Sequence, residues 1–288
     1  MNIEKQQARR SFSRAAQEYD AAAVLQREVG NRLIERLGYI NFTPRTVLDV
    51  GAGTGYCTAL LQKQYPKAYV LALDIAYPML THARSKSSWW TRMRRKTAYL
   101  CADAETLPLA DNSVDMVFSN LTLQWINQLE HTLAEFARVL RPGGMLLFST
   151  FGPDTLFELR EAWARADNYT HTNAFIDLHV IGDMMMHAHL AEPVMDAERF
   201  TLTYPDVYAL MRELKAIGAH NVTQQRARGL SGKSRFRTME LEYERHRLGD
   251  VLPASYEVVY GHAWSAAEAQ QAISVSLDAV GHPPTKAG

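Results

Sequence analysis

Apolar positions along this chain change period several times, and each change marks an element. From Phe12 to Leu37 they recur at intervals of three and four: Phe12, Ala15, Ala16 and Tyr19, then Val24, Leu25, Val29, Leu33, Ile34 and Leu37. That is the spacing of a helix face, and Gly38 is a natural stop, so residues 1–40 are predicted to be helical. Val47, Leu48 and Val50 form a short apolar run with Asp49 inside it, the pattern of a buried strand. Short apolar runs then alternate with helical stretches. Helix 56–64 ends at Pro66 and precedes strand 68–73; helix 77–86 precedes strands 98–101 and 114–120; helix 128–140 precedes strand 145–150. Strands alternating with crossover helices predict an α/β fold with a mostly parallel sheet. Residues 153–190 read as mainly helical, 195–203 as a strand and 254–262 as the last strand. Between these last two, Val207, Leu210, Leu214 and Ile217 give a helix stripe that interrupts an expected hairpin.

Gly51, Gly53 and Gly55 follow the first strand at alternate positions, and a helical pattern starts at Tyr56. Glycines at such a turn permit unusual φ and let a ligand lie against the backbone. The helix start behind them offers free N–H groups and the positive end of a dipole. A dinucleotide site requires G-x-G-x-x-G; here the third glycine comes one residue early. The run acid-x-G-x-G-x-G instead resembles motif I of the class I S-adenosylmethionine methyltransferases. That resemblance implies a Rossmann-like sheet of seven strands with an antiparallel last strand. It also implies that Asp49 orients the methionine amino group and that Gly51 and Gly53 face the cofactor.

Asp74 closes the second strand about 20 residues after the glycines, where an acid can accept both hydroxyls of a ribose. Ile75 and Met79 then fit adenine packing, although Met79 fits ordinary core equally. Asp103 and Ala104 follow the third strand and precede Leu107-Pro108-Leu109, similar to the acid-x-x-x-L-P-L loop of these enzymes. On that match Asp103 accepts from the adenine amino group and the Ala104 N–H reaches a ring nitrogen; a helix N-cap role for Asp103 is the competing reading. Asn120 would touch the methionine end, and Gln124 and Trp125 would face substrate, with a core anchor an equal reading for Trp125. The Asn120-to-Trp125 segment lacks the Asn/Asp-Pro-Pro-Tyr motif of amino methyltransferases acting on bases or glutamine.

Two further segments are more specific. Phe12, Arg14-Ala15-Ala16, Tyr19-Asp20 and Gln26 resemble the N-terminal signature of the malonyl-acyl-carrier-protein O-methyltransferases of biotin synthesis, and so does Leu214-Lys215-x-Ile217-Gly218-Ala219-x-Asn221. The resemblance implies an N-terminal helical cap (1–40) and an S-adenosylmethionine-binding core (41–205). A helical lid (206–252), the last strand (253–264) and a flexible tail (265–288) complete it. It implies Arg14, Tyr19 and Lys215 as substrate contacts, and methylation of the free carboxyl of a malonyl thioester on acyl-carrier protein or coenzyme A.

Totals narrow the alternatives. Lys and Arg number 31, as do Asp and Glu, so no global field favours nucleic acid or anionic membrane. Two distant cysteines among 288 residues suggest neither a disulfide framework nor a metal site. His187 and His189 lack the spacing of a helical metal pair. No secretory signal or spanning run is evident, and a cytoplasmic setting is expected. The basic and aromatic residues Trp89, Trp90, Arg92, Arg94, Arg95 and Lys96 read as a solvated face or a docking patch, as do Arg226, Arg228, Lys233, Arg235 and Arg237. Methyl transfer from a sulfonium to a carboxylate already ionised at pH 7 needs no general base, and none is named. The alternatives are a methyltransferase of another small carboxylic acid or quinone precursor, and a non-catalytic S-adenosylmethionine-binding assembly factor.

Overall fold

The computed structural model describes residues 3–86, 96–219 and 232–266. Seven strands form one sheet: β1 (Thr46–Val50), β2 (Tyr69–Asp74), β3 (Thr97–Cys101), β4 (Val114–Asn120), β5 (Leu140–Phe151), β6 (Leu190–Tyr204) and β7 (Leu252–Ser265). Their order is β3-β2-β1-β4-β5-β7-β6. β1 to β5 pair in parallel, and β7 runs antiparallel between β5 and β6. The expected Rossmann-like architecture with an antiparallel last strand is the one observed.

The central strands read as continuous apolar runs because both faces are covered. Val47, Leu48 and Val50 are fully buried, as are Met116, Val117 and Phe118. One face is covered by α3 (Val24–Arg36), α4 (Tyr56–Gln64) and α7 (Phe157–Ala166), with Leu25, Val29 and Leu33 of α3 in the same cluster as Val47 and Met116. The other carries α6 (Leu129–Val139) and α8 (Leu178–His187), whose Leu133, Phe136 and Met185 pack with Leu48 and Val117. Burying one such side chain contributes roughly 1.5–3 kcal/mol. α5 (Tyr77–Lys86) begins beside the end of β2.

Boundaries differ from the sequence reading at several elements, β6 among them, which starts at Leu190 rather than 195. The N-terminal helical region is broken into α1 (Lys5–Ala15), α2 (Tyr19–Ala22) and α3. The breaks let Phe12, Ala15, Ala16 and Tyr19 pack on Ala76 and Met79 at the start of α5. β5 starts at Leu140, five residues early, because Leu140 pairs with Val114 before a register shift. Residues 153–190 hold only two helices, α7 and α8. The irregular stretch between them is pinned by Asp167, whose Oδ1 accepts from the Tyr169 N–H at 2.9 Å and lies 2.7 Å from His171 Nε2.

Between β6 and β7 the chain inserts α9 (Val207–Ala216) and α10 (Lys233–Tyr243). α10 packs against α7, and the Tyr243 hydroxyl donates to the Pro253 carbonyl at 2.8 Å. Lys233, Arg235 and Arg237 are exposed on α10. Trp89, Trp90, Arg92, Arg94, Arg95, Asn221, Arg226, Arg228 and the tail beyond residue 266 lie outside the described residues. No helix among the described residues is long and apolar enough to cross a membrane.

Candidate functional site

The strand order reverses at β1, with β2 on one side and β4 on the other. In an open α/β sheet this opens a crevice at the carboxyl ends of the strands. The glycine turn lies there, and its spacing has separable causes. Gly51 has φ +71°, and a Cβ on it would fall 2.0 Å from Thr122 Oγ1, so the approach of the β4 loop forbids a side chain. Gly53 has φ +53°, yet the nearest atom to its Cβ would be 4.0 Å away. Its turn faces open space, the cradle a ligand requires, and its N–H donates to Asp74 Oδ2 at 2.9 Å.

Three acids end three neighbouring strands. Asp49 is 1% exposed and its Oδ2 accepts from Thr58 Oγ1 at 2.5 Å. Burial, with Asp74 adding to it, raises the Asp49 carboxyl to about 7 despite the Thr58 hydroxyl. Asp74 is enclosed by packed atoms while keeping an edge to solvent. Burial raises it to about 6, and the N–H groups of Ala76 and Gly53 oppose the rise. Asp103 caps a turn through the Glu105 N–H at 3.0 Å rather than starting a helix. Its Oδ2 is 2.6 Å from Lys5 Nζ, which also reaches Glu105 at 2.7 Å. Next to this pair, the Ile3 backbone exchanges two hydrogen bonds with the Asn127 side chain. The N-terminal segment is thereby tied across the end of the crevice.

Gly51, Gly53, Asp74, Ile75, Met79, Asp103, Ala104 and Asn120 line one cleft. Asp49 lies in a smaller recess that opens beside it, with Tyr19, Gly51, Gly53 and Asn120. Asn120 is fixed from both ends: Nδ2 donates to the Gln26 carbonyl at 2.9 Å and Oδ1 accepts from Ser149 Oγ at 2.7 Å. The following residue, Leu121, has φ +48°, a strained backbone for a branched side chain. Burial, with Asp74 and Cys57 near, pushes the Tyr19 phenol above its ordinary range.

The residues fit S-adenosylmethionine better than a dinucleotide. Two carboxyls crowd the glycine turn, which favours a cationic amino group and hydroxyl donors over a pyrophosphate. The basic side chain lining the cleft, Lys5, is already paired with Asp103 and Glu105. Ile75 and Met79 give the cleft an apolar wall. Among the described residues no group of three or more His, Cys, Asp or Glu could hold a metal ion. His187 instead lies 3.2 Å from Glu130.

A second cavity, about 920 Å³, adjoins the cleft. Gln124, Trp125, Phe151, Ile217 and Ala219 line both. Its walls are largely apolar: Leu25, Leu156, Leu159, Trp163, Phe175, Met211 and Phe236. Arg14 and Lys215 line it as well, both exposed; Tyr19 lines the cleft and recess instead. Gln124 is locked, donating to the Leu121 carbonyl at 2.6 Å and accepting from Thr150. Trp125 stands edge-on to Phe12 of α1, ring centroids 5.1 Å apart.

Several lining residues carried no assigned role in the sequence. Gln26 borders cleft, recess and chamber alike. Its backbone carbonyl holds Asn120, while its side-chain amide has no partner among the described residues. Lys5 had no periodic neighbour to mark it. Arg212 lies on the solvent face of α9, and His171 and Asn173 sit in the irregular stretch after α7, where no pattern distinguishes them from loop.

Residues 48–148 match a family model described as a methyltransferase domain. The malonyl-[acyl-carrier protein] O-methyltransferase of Gallionella capsiferriformans is 53% identical over 267 residues, 92% of each chain. That of Methylovorus sp. is 47% identical, covering 98% of this chain and 96% of its own. Among solved structures, the YcgJ protein of Bacillus subtilis superposes with a TM-score of 0.57 at 14% identity, over 83% of this chain and 100% of its own. The Haemonchus contortus phosphoethanolamine N-methyltransferase 2, in complex with phosphomonomethylethanolamine and S-adenosylhomocysteine, gives 0.50 at 16% identity, over 82% of this chain and 53% of its own. These structures share the fold. By sequence identity along nearly its whole length, the chain belongs to the malonyl-[acyl-carrier protein] O-methyltransferase family.

Proposed function

We propose that the chain methylates the free carboxylate of a malonyl thioester, borne by acyl-carrier protein or coenzyme A, with S-adenosylmethionine as donor, in the biotin pathway and in the cytoplasm. The observation that carries this reading is the junction between the acidic glycine-turned cleft and the large apolar chamber, bordered by neutral amides. In this reading Asp49 holds the methionine amino group, Asp74 the ribose hydroxyls, and Asp103 with the Ala104 N–H the adenine edge. Gly51 and Gly53 admit the ligand to the backbone, Ile75 and Met79 flank the base, and Asn120 meets the methionine end. S-adenosylmethionine supplies an electrophilic methyl on a sulfonium.

The remaining work falls to positioning and water exclusion. The acceptor carboxylate is ionised at pH 7, so no side chain has to remove a proton. A tight ion pair would withdraw its nucleophilic electrons. A neutral donor at the junction orients it without that cost, and the Gln26 amide, which has no partner among the described residues, is placed to do so. Trp125 and Phe12 close the junction against water. Arg14 and Lys215, exposed at the chamber, then act on the incoming thioester or its carrier rather than on the reacting carboxylate. A domain organisation of cap, core and inserted lid follows from the same reading.

The test compares malonyl with acetyl and butyryl thioesters, using S-adenosylmethionine labelled in its methyl group. Label should enter the malonyl thioester alone and be released by mild alkali. Label in all three, or label stable to alkali, would reject carboxyl methylation.

A further inference from the structure

The small recess beside the cleft, about 50 Å³, has a basic side chain in its wall: Arg27, in the first turn of α3. The residue is half-buried. Its Nη1 donates to the backbone carbonyl of Asp20. That bond anchors the guanidinium and leaves the Nε–Nη2 edge, the side that meets a carboxylate through two parallel hydrogen bonds. Neither of those nitrogens has a partner among the described residues, and packing seals off neither of them.

The acids of the recess do not neutralise this edge. The Asp20 carboxylate accepts from Thr54 Oγ1 and pairs with Lys86. Asp49 Oδ2 accepts from Thr58, and no ion pair joins Asp49 to Arg27. An always-ionised group therefore stands at the recess with its pairing edge open.

The rest of the wall is acidic. Asp49, Asp74, Asp103 and Glu105 line cleft or recess, and Lys5 is engaged by the last two. A carboxylate entering such a site meets like charge unless a cation receives it. S-adenosylmethionine brings one. Its methionine end carries an amino group and a carboxylate on the same carbon. A ligand whose amino group reaches Asp49 must bring its carboxylate into the same recess, where Arg27 is the open cation.

We infer that the Nε–Nη2 edge of Arg27 takes the methionine carboxylate of S-adenosylmethionine, so that the recess selects a zwitterionic amino-acid head over a merely cationic one. The inference rests on the donor reading above, in which Asp49 holds the amino group. Arg27 is a binding residue and touches no reacting atom.

The test is calorimetric titration of the full chain with three ligands. These are S-adenosylmethionine; S-adenosylhomocysteine, which keeps the carboxylate without the sulfonium charge; and decarboxylated S-adenosylmethionine, which keeps the sulfonium and the amino group. The wild-type chain should bind the decarboxylated ligand at least about ten-fold more weakly than S-adenosylmethionine, the loss of a charge-assisted pair. Arg27→Met should weaken S-adenosylmethionine and S-adenosylhomocysteine alike, by about ten- to a hundred-fold, and should not weaken the decarboxylated ligand. Circular dichroism checks that the variant is folded. Should it not fold, Arg27→Lys takes its place: it keeps the charge without the two-pronged edge, and should weaken the two carboxylate ligands about three- to ten-fold while sparing the third. Equal wild-type affinity with and without the carboxylate, a loss shared by the decarboxylated ligand, or no loss in the folded variant would overturn the assignment. If the wild-type chain binds neither S-adenosylmethionine nor S-adenosylhomocysteine, the donor reading fails first and the assignment falls with it, a result distinct from the other three.

Discussion

Asp49→Asn should stabilise the protein while disabling its donor site. The carboxyl is buried and lifted from its ordinary 3.8 to about 7, chiefly by burial. At 1.36 kcal/mol per pKa unit, ionising it in the folded chain costs on the order of 4 kcal/mol. The sign follows from linkage. A carboxyl whose folded pKa is raised contributes fully below its unfolded value near 4, and that contribution is lost as pH rises through about 7. Asparagine carries no such penalty and still offers Thr58 an acceptor in place of Asp49 Oδ2. The difference in melting temperature between variant and wild type should therefore widen from pH 4 to pH 7 and then level off. Above pH 7 the variant should melt on the order of 8 °C higher. Calorimetry at pH 8 should meanwhile show S-adenosylmethionine affinity reduced more than about ten-fold, because a charge-assisted partner is gone. In the wild type, binding at pH 6 should release a proton, since a cationic amino group draws the carboxyl back to its ionised form. A variant that melts lower than wild type at pH 8, with a gap indifferent to pH, would refute the reasoning.

Other substitutions separate scaffold from site. Gly51→Ala should fail to bind S-adenosylmethionine and should lose several kcal/mol of stability, because its Cβ meets Thr122 at 2.0 Å. Gly53→Ala meets nothing closer than 4.0 Å; it should cost only about 1 kcal/mol by denaturant titration yet weaken S-adenosylmethionine. Gln26→Leu should lower kcat on a malonyl thioester at least about ten-fold with donor affinity within two-fold; parallel loss of both would remove Gln26 from the acceptor's path. Glu158→Ala strips the buried partner of the Ser255 N–H and hydroxyl, and urea titration should show a loss of about 2–3 kcal/mol.

What could be read in the sequence and what could not divides by range. The glycine turn, Asp74 and Asp103 announce themselves because each lies next to its own strand end, and strand ends follow from local apolar runs. The cleft proposed for the cofactor is lined mainly from such positions, so its lining was legible. The chamber is not. Its walls come from α3, the stretch after α7, α9 and α10, which meet only in three dimensions. Asn173 and His171 sit in a segment with no period at all. Lys5 reaches Asp103 across 98 residues, a distance no spacing encodes. The breaks at residues 16–18 escaped notice because Phe12, Ala15, Ala16 and Tyr19 keep helical spacing. They pack on α5 instead of continuing one straight face.

Intact-mass analysis of malonyl-acyl-carrier protein after incubation with the enzyme and S-adenosylmethionine, with malonyl-coenzyme A in parallel, addresses the proposed activity most directly. Expected is a gain of one methyl on a malonyl thioester, reversed by mild ester hydrolysis. No gain on either substrate, with S-adenosylmethionine binding intact by calorimetry, would contradict it.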